Sequence, residues 1–188
     1  MVAVSRPVLQ LPEAMTHPVE AVYQACGQWD APLKHVLYDS VVETHAQTVV
    51  EIGTNIGDST RILSTALRQT GGRLYSIDLY GPKLDGIAGD WLSTWDGSNL
   101  TLLSDDSRTI RWELPVDVVL VDGAHEYPTP KLDCVRWWGF LRSGGWLLLH
   151  DVSLIPDVHR AWQEFAGEAQ VAWIYYPHGV GLAVAKKP

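Results

Sequence analysis

From Thr48 onward, short apolar runs alternate with longer amphipathic segments, and this alternation restricts the fold more than any other feature of the chain. The runs are rich in Val, Ile and Leu, as is typical of strands buried on both faces of a parallel sheet. The segments between them are long enough to form helices that cover such a sheet. We therefore predict an α/β fold with a single doubly wound, mostly parallel, seven-stranded sheet. The predicted strands span residues 48–52, 73–77, 100–103, 116–121, 146–149, 171–175 and 180–185.

The intervening segments predict where the helices and loops lie. Amphipathic stretches at 58–68, 106–112, 129–141 and 156–165 follow successive strands. The last two strands are separated only by Pro177, His178 and Gly179, too short for a crossover helix, so we expect an antiparallel C-terminal hairpin. Helices starting near Pro18 and Pro32 predict that residues 1–46 form an N-terminal helical segment of the same domain as residues 47–188. The glycine-rich segment 79–99 is predicted to be a loop.

Composition excludes several classes of protein. The chain has 14 basic and 22 acidic residues among 188, a formal charge of −8, and its cations are scattered, which argues against a nucleic-acid partner. Only two cysteines are present, far apart, so neither a disulfide framework nor a structural zinc site is predicted. No apolar stretch is long enough to span a membrane. We expect a cytoplasmic protein with no membrane partner.

A glycine-rich turn follows the first predicted strand and is the strongest functional signal. It runs from Glu51 through Gly53 and Asn55 to Gly57, and leads directly into a helix. Such a turn lets a ligand approach the backbone and offers it the free amides of a helix N-terminus. Asp78 ends the second strand, 21 residues after Gly57, where a carboxylate can accept both hydroxyls of a ribose. Together these features predict a nucleoside-binding site.

The spacing of the turn distinguishes between nucleoside ligands. A dinucleotide-binding turn has the form GxGxxG, whereas this chain has ExGxNxG. The Glu51 carboxylate would repel a pyrophosphate but attract an ammonium or sulfonium group. An NAD-dependent oxidoreductase is therefore the less favoured alternative. The turn resembles the first motif, E/DxGxGxG, of class I S-adenosylmethionine-dependent methyltransferases, whose second strand also ends in an acid.

Three further motifs follow in the same order as in one branch of that family. The segment Asp122–Tyr127 resembles the DGxHxY motif of the branch containing macrocin O-methyltransferase and cephalosporin-hydroxylase-like proteins. Residues 141–152 resemble its PGG…HD segment, and Ser104–Ser107 resembles its GDS turn. The resemblance implies a Rossmann-like fold, S-adenosyl-L-methionine as cofactor, and methylation of a hydroxyl of a small-molecule acceptor. A module that binds S-adenosylmethionine without turning it over is the alternative outside catalysis.

The resemblance also implies roles for individual residues. The methionine part of the cofactor would lie on the first motif, the ribose at Asp78, the adenine near Asp106 and Ser107, and the sulfonium above Asp122. The predicted cofactor-binding residues are Glu51, Gly53, Thr54, Asn55, Gly57, Ser59, Asp78, Leu79, Asp106, Ser107, Asp122 and His125.

Either a general base or a metal ion could promote loss of the proton from the acceptor hydroxyl. His125, with Asp122, is the predicted catalytic pair, because a neutral imidazole is a suitable general base near pH 7. Alternatively, Asp122 and Asp151 could hold a Mg²⁺ ion that acidifies the acceptor. In this chain Val152 stands where metal-dependent relatives have a third ligand, and strand alternation predicts that His150 points to the opposite face. A homodimer is a further hypothesis, drawn from the surplus of Trp and the N-terminal helices.

Overall fold

The structure is a computed structural model of the chain, and it describes His17, residues 31–81 and residues 98–188. The helix predicted from Pro18 and the interior of the predicted 79–99 loop lie outside the described residues. The helices are α1 (Ala31–Glu43), α2 (Asp58–Thr70), α3 (Thr129–Phe140) and α4 (Pro156–Ala169). The strands are β1 (Thr48–Ile52), β2 (Arg73–Asp78), β3 (Leu100–Ser104), β4 (Val116–Val121), β5 (Leu141–His150), β6 (Trp173–Tyr176) and β7 (Leu182–Lys186).

The strands within the described part of the chain form one seven-stranded sheet with the order β3-β2-β1-β4-β5-β7-β6. Strands β1 to β5 pair in parallel, and β7 pairs antiparallel with both β5 and β6. The predicted Rossmann-like sheet and its antiparallel C-terminal hairpin are confirmed. Strand order reverses between β1 and β4, and the crevice beside such a reversal is where open α/β sheets bind ligands.

Two apolar layers cover the two faces of the sheet. Consecutive residues of β1 enter opposite layers: Val49 packs with Leu37 and Leu63 of α1 and α2, whereas Val50 packs with residues of α3 and α4. This follows from the period of two along a strand. All six residues of β4 are buried. Five of them are apolar, and the sixth, Asp117, accepts hydrogen bonds from the amides of Gln47 and Thr48. The two layers hold the sheet rigid, so that the loops at its carboxyl edge have a fixed base.

The stretch 106–112, predicted to be a helix, is instead a turn and an irregular segment. The Asp106 side chain accepts a hydrogen bond from the Arg108 amide at 2.9 Å, and such local bonds compete with a helix. The indole Nε1 of Trp137 on α3 donates to the Ser107 carbonyl at 3.1 Å. The turn is therefore fixed to α3, at the edge of the sheet where ligands are expected.

Strand β5 is longer than predicted and begins directly after α3, at Leu141. The backbone of Gly145 passes so close to β4 that an added Cβ would lie 2.8 Å from the Asp117 carbonyl oxygen. Glycine thus allows the start of β5 to pair with β4. None of the described helices has the length and apolar character needed to cross a membrane.

Candidate active site

A cavity of about 960 Å³ opens at the carboxyl ends of the parallel strands. Its walls come from the glycine turn after β1, the turns after β2 and β3, the loop after β4, and the start of the segment after β5. This is the position that the topology predicts for a ligand. Most of the predicted site residues lie on its wall: Gly53, Thr54, Asn55, Ser59, Asp78, Leu79, Asp106, Ser107, Asp122, His125 and Asp151.

Glu51 and Gly57, also predicted to contact the cofactor, do not line the cavity. Glu51 is fully buried beneath the glycine turn and accepts hydrogen bonds from Ser59 Oγ at 2.5 Å, Thr60 Oγ1 at 2.6 Å and Ser76 Oγ. The Ser76 hydroxyl is in turn 2.6 Å from Thr54 Oγ1 on the cavity wall. Burial raises the pKa of Glu51 to about 7, against the three hydroxyls that favour its charged form. The carboxylate therefore ties β1, β2 and α2 together under the site.

The glycine turn has a backbone that most residues cannot adopt. Gly53 has a φ of 92°, Asn55 of 45° and Gly57 of 87°. A Cβ on Gly53 would lie 2.2 Å from the carbonyl oxygen of Asp122, so this glycine lets the turn press against the loop after β4. Asn55 is the residue type that best tolerates a positive φ without being glycine. The start of the turn therefore lies directly against the backbone of Asp122.

Asp78 fixes the same turn from the end of β2. Its Oδ2 atom accepts hydrogen bonds from the amides of Thr54 at 3.2 Å and Asn55 at 3.1 Å, and its Oδ1 accepts from the Tyr80 amide at 3.0 Å. The carboxylate lies on the cavity wall while making these contacts. Each carboxylate oxygen has a second lone pair, so Asp78 can still accept hydrogen bonds from a ligand.

Two imidazoles and two carboxylates meet at the ends of β4 and β5. His150 Nδ1 lies 2.9 Å from Asp122 Oδ1, and His125 Nε2 lies 2.9 Å from Asp151 Oδ2. The two pairs are joined by a 3.7 Å contact between His150 Nδ1 and Asp151 Oδ2. The His150 and Asp122 side chains are mostly buried, whereas the His125 side chain is 44% exposed. An exposed imidazole with a buried carboxylate behind it is an arrangement suited to proton transfer.

The prediction that His150 points away from Asp122 is wrong. Val121 of β4 is in register with Leu149 of β5, so the next pair, Asp122 and His150, also lie side by side. Asp151 has a φ of 62°, which breaks the extended conformation directly after His150. The alternation of faces therefore does not apply between His150 and Asp151, and both side chains reach the same cluster.

Burial and neighbouring charges shift the pKa values of this cluster. The contact with Asp151 is the main cause that raises the pKa of His125. Burial raises the pKa of Asp122, although the adjacent His150 opposes that effect. A raised pKa makes the neutral imidazole of His125 a stronger base than an isolated histidine.

Asp122, His125 and Asp151 also form a set of possible metal ligands, with donor atoms all within 4.8 Å of one another. Two carboxylates and one imidazole fit a divalent cation, although Mg²⁺ prefers oxygen donors alone. Val152, at the position of the third ligand of metal-dependent relatives, is buried in the apolar core. The donor set therefore differs from the all-oxygen set that Mg²⁺ prefers.

Neighbouring segments hold the loop that carries His125. The Tyr127 amide donates to Asp157 of α4 at 3.2 Å, and the Tyr127 hydroxyl donates to Glu164 of α4 at 2.8 Å. The Arg160 guanidinium stacks 3.8 Å from the centre of the Tyr127 ring. These contacts anchor the loop two residues after His125, so the imidazole is placed by α4 as well as by β4.

Two residues on the cavity wall, His150 and Asp133, were not among the predicted site residues. The register of β4 against β5 would have placed His150 beside Asp122. Asp133 on α3 lies on the cavity wall and is 1% exposed. It is four residues before the fully buried Trp137 and hence on the same face of the helix, which makes a carboxylate there conspicuous.

The fold and the site can be compared with known proteins. The model of a family described as a methyltransferase domain matches residues 50–152. Three solved structures resemble the chain, at low sequence identity. The O-methyltransferase TomG of Streptomyces achromogenes, in complex with SAM, is 21% identical over 85% of this chain and 81% of that chain, with a TM-score of 0.65. An O-methyltransferase of Bacillus cereus in complex with SAH is 18% identical over 90% of this chain and 86% of that chain, with a TM-score of 0.67. The SAH-bound methyltransferase PaMTH1 of Podospora anserina is 15% identical over 86% of this chain and 80% of that chain, with a TM-score of 0.64. At these identities the solved structures establish the fold. The family match covers more than half of the 188 residues and includes both the glycine turn and the Asp122–Asp151 cluster, so this chain belongs to the methyltransferase domain family.

Proposed function

We propose that this protein transfers a methyl group from S-adenosylmethionine to a hydroxyl of a small molecule. The observation that carries the proposal is the contact of 2.9 Å between the half-exposed His125 and the buried Asp151, directly beside Asp122 on the wall of the cavity. Similar structures that are named as O-methyltransferases and hold SAM or SAH support the same donor and reaction.

The glycine turn and Asp78 are suited to hold the donor. The amides at the start of α2 can bind the methionine carboxylate, since helix N-termini favour anions. Asp78 has free lone pairs for the ribose hydroxyls. The Asp122 carboxylate offers negative charge to the sulfonium. We assign Glu51 a supporting role beneath the turn, because it lies outside the cavity wall and its oxygens already accept three hydroxyl hydrogen bonds.

Methyl transfer is an in-line displacement that requires alignment and a route for one proton. The acceptor oxygen forms a bond to the methyl carbon, and the bond between that carbon and sulfur breaks, leaving its electron pair on S-adenosylhomocysteine. In the neutral tautomer with hydrogen on Nε2, this nitrogen lies 2.9 Å from Asp151 Oδ2, and Nδ1 keeps a lone pair. That lone pair takes the acceptor's proton, and Asp151 stabilises the resulting imidazolium.

A divalent cation would be held by Asp122 and Asp151 through oxygen and by His125 through Nε2. When bound, it would supply Lewis acidity that lowers the pKa of the acceptor hydroxyl. When Nε2 of a neutral imidazole binds the cation, the ring hydrogen is on Nδ1, so Nδ1 cannot accept a proton. His125 therefore acts either as a ligand or as the base.

The mouth of the cavity favours an acceptor with apolar surface. Leu79, Tyr80 and Leu154 line the cavity and are 51%, 89% and 64% exposed. Exposed apolar side chains beside a polar pocket are typical of a binding surface for an amphiphilic ligand. We therefore propose a small molecule in which the reactive hydroxyl is attached to an aromatic or alicyclic ring.

Binding and turnover experiments test the proposal. Calorimetry should detect binding of S-adenosylmethionine and of S-adenosylhomocysteine to the protein, and no binding of NAD. Tight binding of NAD without binding of S-adenosylmethionine would contradict the proposal. Radiolabelled S-adenosylmethionine is then incubated with a panel of hydroxylated aromatic and alicyclic compounds, each paired with its deoxy analogue. Label transfer that requires the hydroxyl supports O-methylation. Donor binding without transfer to any hydroxylated compound would support a module that binds the donor without turnover.

A further inference from the structure

The part of the cavity that receives the methyl acceptor follows from the proposed function, on which this inference rests. In that function the donor occupies the side formed by the glycine turn and the ends of β2 and β3, with its methyl group toward His125. The acceptor then lies beside His125, at the ends of β4 and β5. The side chains on the wall there are Glu126 in the loop after β4, Leu154 after β5 and Val180 in the loop between β6 and β7. We call this part of the cavity the acceptor half.

The numbers of acidic and basic side chains on the cavity wall are very unequal. Within the described residues eight carboxylates line the wall: Asp58, Asp78, Asp105, Asp106, Asp122, Glu126, Asp133 and Asp151. Over the same residues the wall has no lysine and a single arginine, Arg108. The Arg108 guanidinium is already paired with Asp106, since its Nε donates to Oδ1 at 2.8 Å and its Nη2 to Oδ2 at 2.6 Å. An anionic group on an acceptor therefore meets no free lysine or arginine on the described wall.

Glu126 differs from the acids next to it in its partners. Asp122 lies 2.9 Å from His150, and Asp151 lies 2.9 Å from His125. The Glu126 side chain is exposed, and within the described part of the chain no hydrogen bond or ion pair engages its carboxylate. The contact with Asp151 is the main cause that raises the pKa of His125, and the nearby charge of Glu126 also raises it. The Glu126 carboxylate is therefore both free and close to the imidazole that faces the acceptor.

A free carboxylate at this position favours a positive charge on the acceptor and opposes a negative one. Coulomb interactions strengthen as water is excluded, so both effects grow when an acceptor fills the cavity. A charge-assisted hydrogen bond from an ammonium group is also stronger than one from a neutral hydroxyl. Leu154, which is 64% exposed, offers apolar surface to the rest of the acceptor in the same half of the cavity.

We propose that the acceptor carries an ammonium group in addition to its reactive hydroxyl, and that Glu126 binds this group in an ion pair. The apolar ring of the acceptor packs on Leu154 and Val180, and its hydroxyl faces His125. Glu126 is thus a specificity-determining residue, which selects cationic over anionic acceptors of the same shape by attraction to the first and repulsion of the second.

Acceptors that differ only in charge test this role. The hydroxylated aromatic and alicyclic rings are prepared in sets of three, with an aminoethyl, a propyl or a carboxymethyl side chain. Transfer of radiolabel near pH 7, where the amine and the acid are both ionised, gives kcat/KM for each compound. With the wild-type protein, kcat/KM should be about tenfold or more higher for the aminoethyl than for the carboxymethyl compound. This ratio should fall at high salt, because ions screen an exposed carboxylate.

Substitutions of Glu126 should change the same ratio. Glu126→Gln should lower it about fivefold, because the charge is removed, and Glu126→Lys should lower it further, because the charge is reversed. Any indirect effect on His125 cancels in the ratio, since the same imidazole takes the proton from both compounds. Asp105→Asn, a matched change of an exposed acid on the wall after β3, should keep the wild-type ratio.

Circular dichroism and thermal melting check that the variants fold, as expected for changes at exposed positions. The role of Glu126 would be overturned if the wild type used the propyl or carboxymethyl compound as well as the aminoethyl compound. A ratio that is unchanged in both Glu126 variants, or lost in Asp105→Asn, would overturn it too. A wild-type protein that binds no S-adenosylmethionine, or that binds it and transfers label to none of the compounds, would instead refute the proposed function.

Discussion

The carboxylates on the two halves of the sheet edge have different partners. At the ends of β1 and β2, here called the holding half, Glu51 is bonded by hydroxyls and Asp78 by backbone amides. At the ends of β4 and β5, here called the reacting half, Asp122 and Asp151 each contact an imidazole. Hydroxyls and amides keep their protons near neutral pH, whereas imidazoles exchange theirs. We therefore propose that one edge of the sheet separates donor binding from proton transfer, through the different partners of its carboxylates.

The largest effect is expected for the reacting half. His125→Ala should lower kcat by about 10²- to 10⁴-fold, because it removes the general base, while the Kd of S-adenosylmethionine changes by less than about threefold. Single-turnover transfer of radiolabel and calorimetry measure the two quantities. His178→Ala, a change of an exposed histidine in the loop between β6 and β7, is the matched control and should leave both unchanged. A Kd that weakens in parallel with kcat would place His125 in the holding half and break the distinction.

The burial of Glu51 should make the free energy of unfolding depend on pH. Its pKa is raised to about 7 from the ordinary value of 4.5, so the folded protein binds this proton more tightly than the unfolded chain does. The contribution of Glu51 to stability is therefore greatest at low pH and is lost as the pH rises from about 4.5 to about 7. Over that window it should decline by up to about 3 kcal/mol.

Glu51→Gln should abolish that decline, because glutamine does not titrate. Urea unfolding of both proteins at several pH values gives the difference in their free energies of unfolding. Glu113→Gln, at an exposed position paired with Arg111, provides a control for removing one surface carboxylate. If wild type and Glu51→Gln keep a constant difference across the pH range, the carboxylate does not carry a raised pKa.

Asp78→Asn should weaken donor binding about tenfold and leave kcat nearly unchanged. The variant loses a charged acceptor of the Thr54 and Asn55 amides, and the amide group offers a weaker acceptor to the ribose hydroxyls. Calorimetry with S-adenosylhomocysteine and steady-state kinetics separate the two effects. A loss confined to kcat would move Asp78 to the reacting half.

The smallest effect concerns cations. Since one donor of the Asp122–His125–Asp151 set is an imidazole, we expect Mn²⁺ to bind several-fold more tightly than Mg²⁺. Calorimetry with each metal alone measures the ratio, and His125→Ala should reduce it toward unity. Tighter binding of Mg²⁺ than of Mn²⁺ would show that the imidazole is not a ligand.

The sequence was sufficient to predict the sheet because its signal is local. Each of the strands β1 to β5 contains a short stretch in which apolar residues predominate, although single polar residues such as Glu51 and Asp117 interrupt it. The loop Pro177–Gly179 is too short for any connection but a hairpin. The residues after each strand then had to meet at one edge, which is why most of the predicted site residues lie on one cavity wall.

The failures arise where contacts between distant segments decide the structure. The segment 106–112 has helical periodicity, but the side chain of Asp106 and the indole of Trp137 stabilise a turn instead. The sequence also did not show that Glu51 is fully buried and accepts hydrogen bonds from hydroxyls of α2 and β2; its role toward the donor stays a prediction. Side-chain direction at the end of β5 depends on a single backbone angle that no sequence pattern reveals.

That backbone angle, the φ of 62° at Asp151, determines which substitutions at this position can be interpreted. Glycine and asparagine adopt a left-handed backbone readily, whereas alanine pays about 1 kcal/mol or more for it. An alanine scan would therefore combine a backbone penalty with the loss of the carboxylate and overstate the chemical role of Asp151. Asp151→Asn removes the charge, and Asp151→Gly removes the whole side chain, both without the backbone penalty of alanine. Their comparison therefore separates the effect of the charge from that of the rest of the side chain.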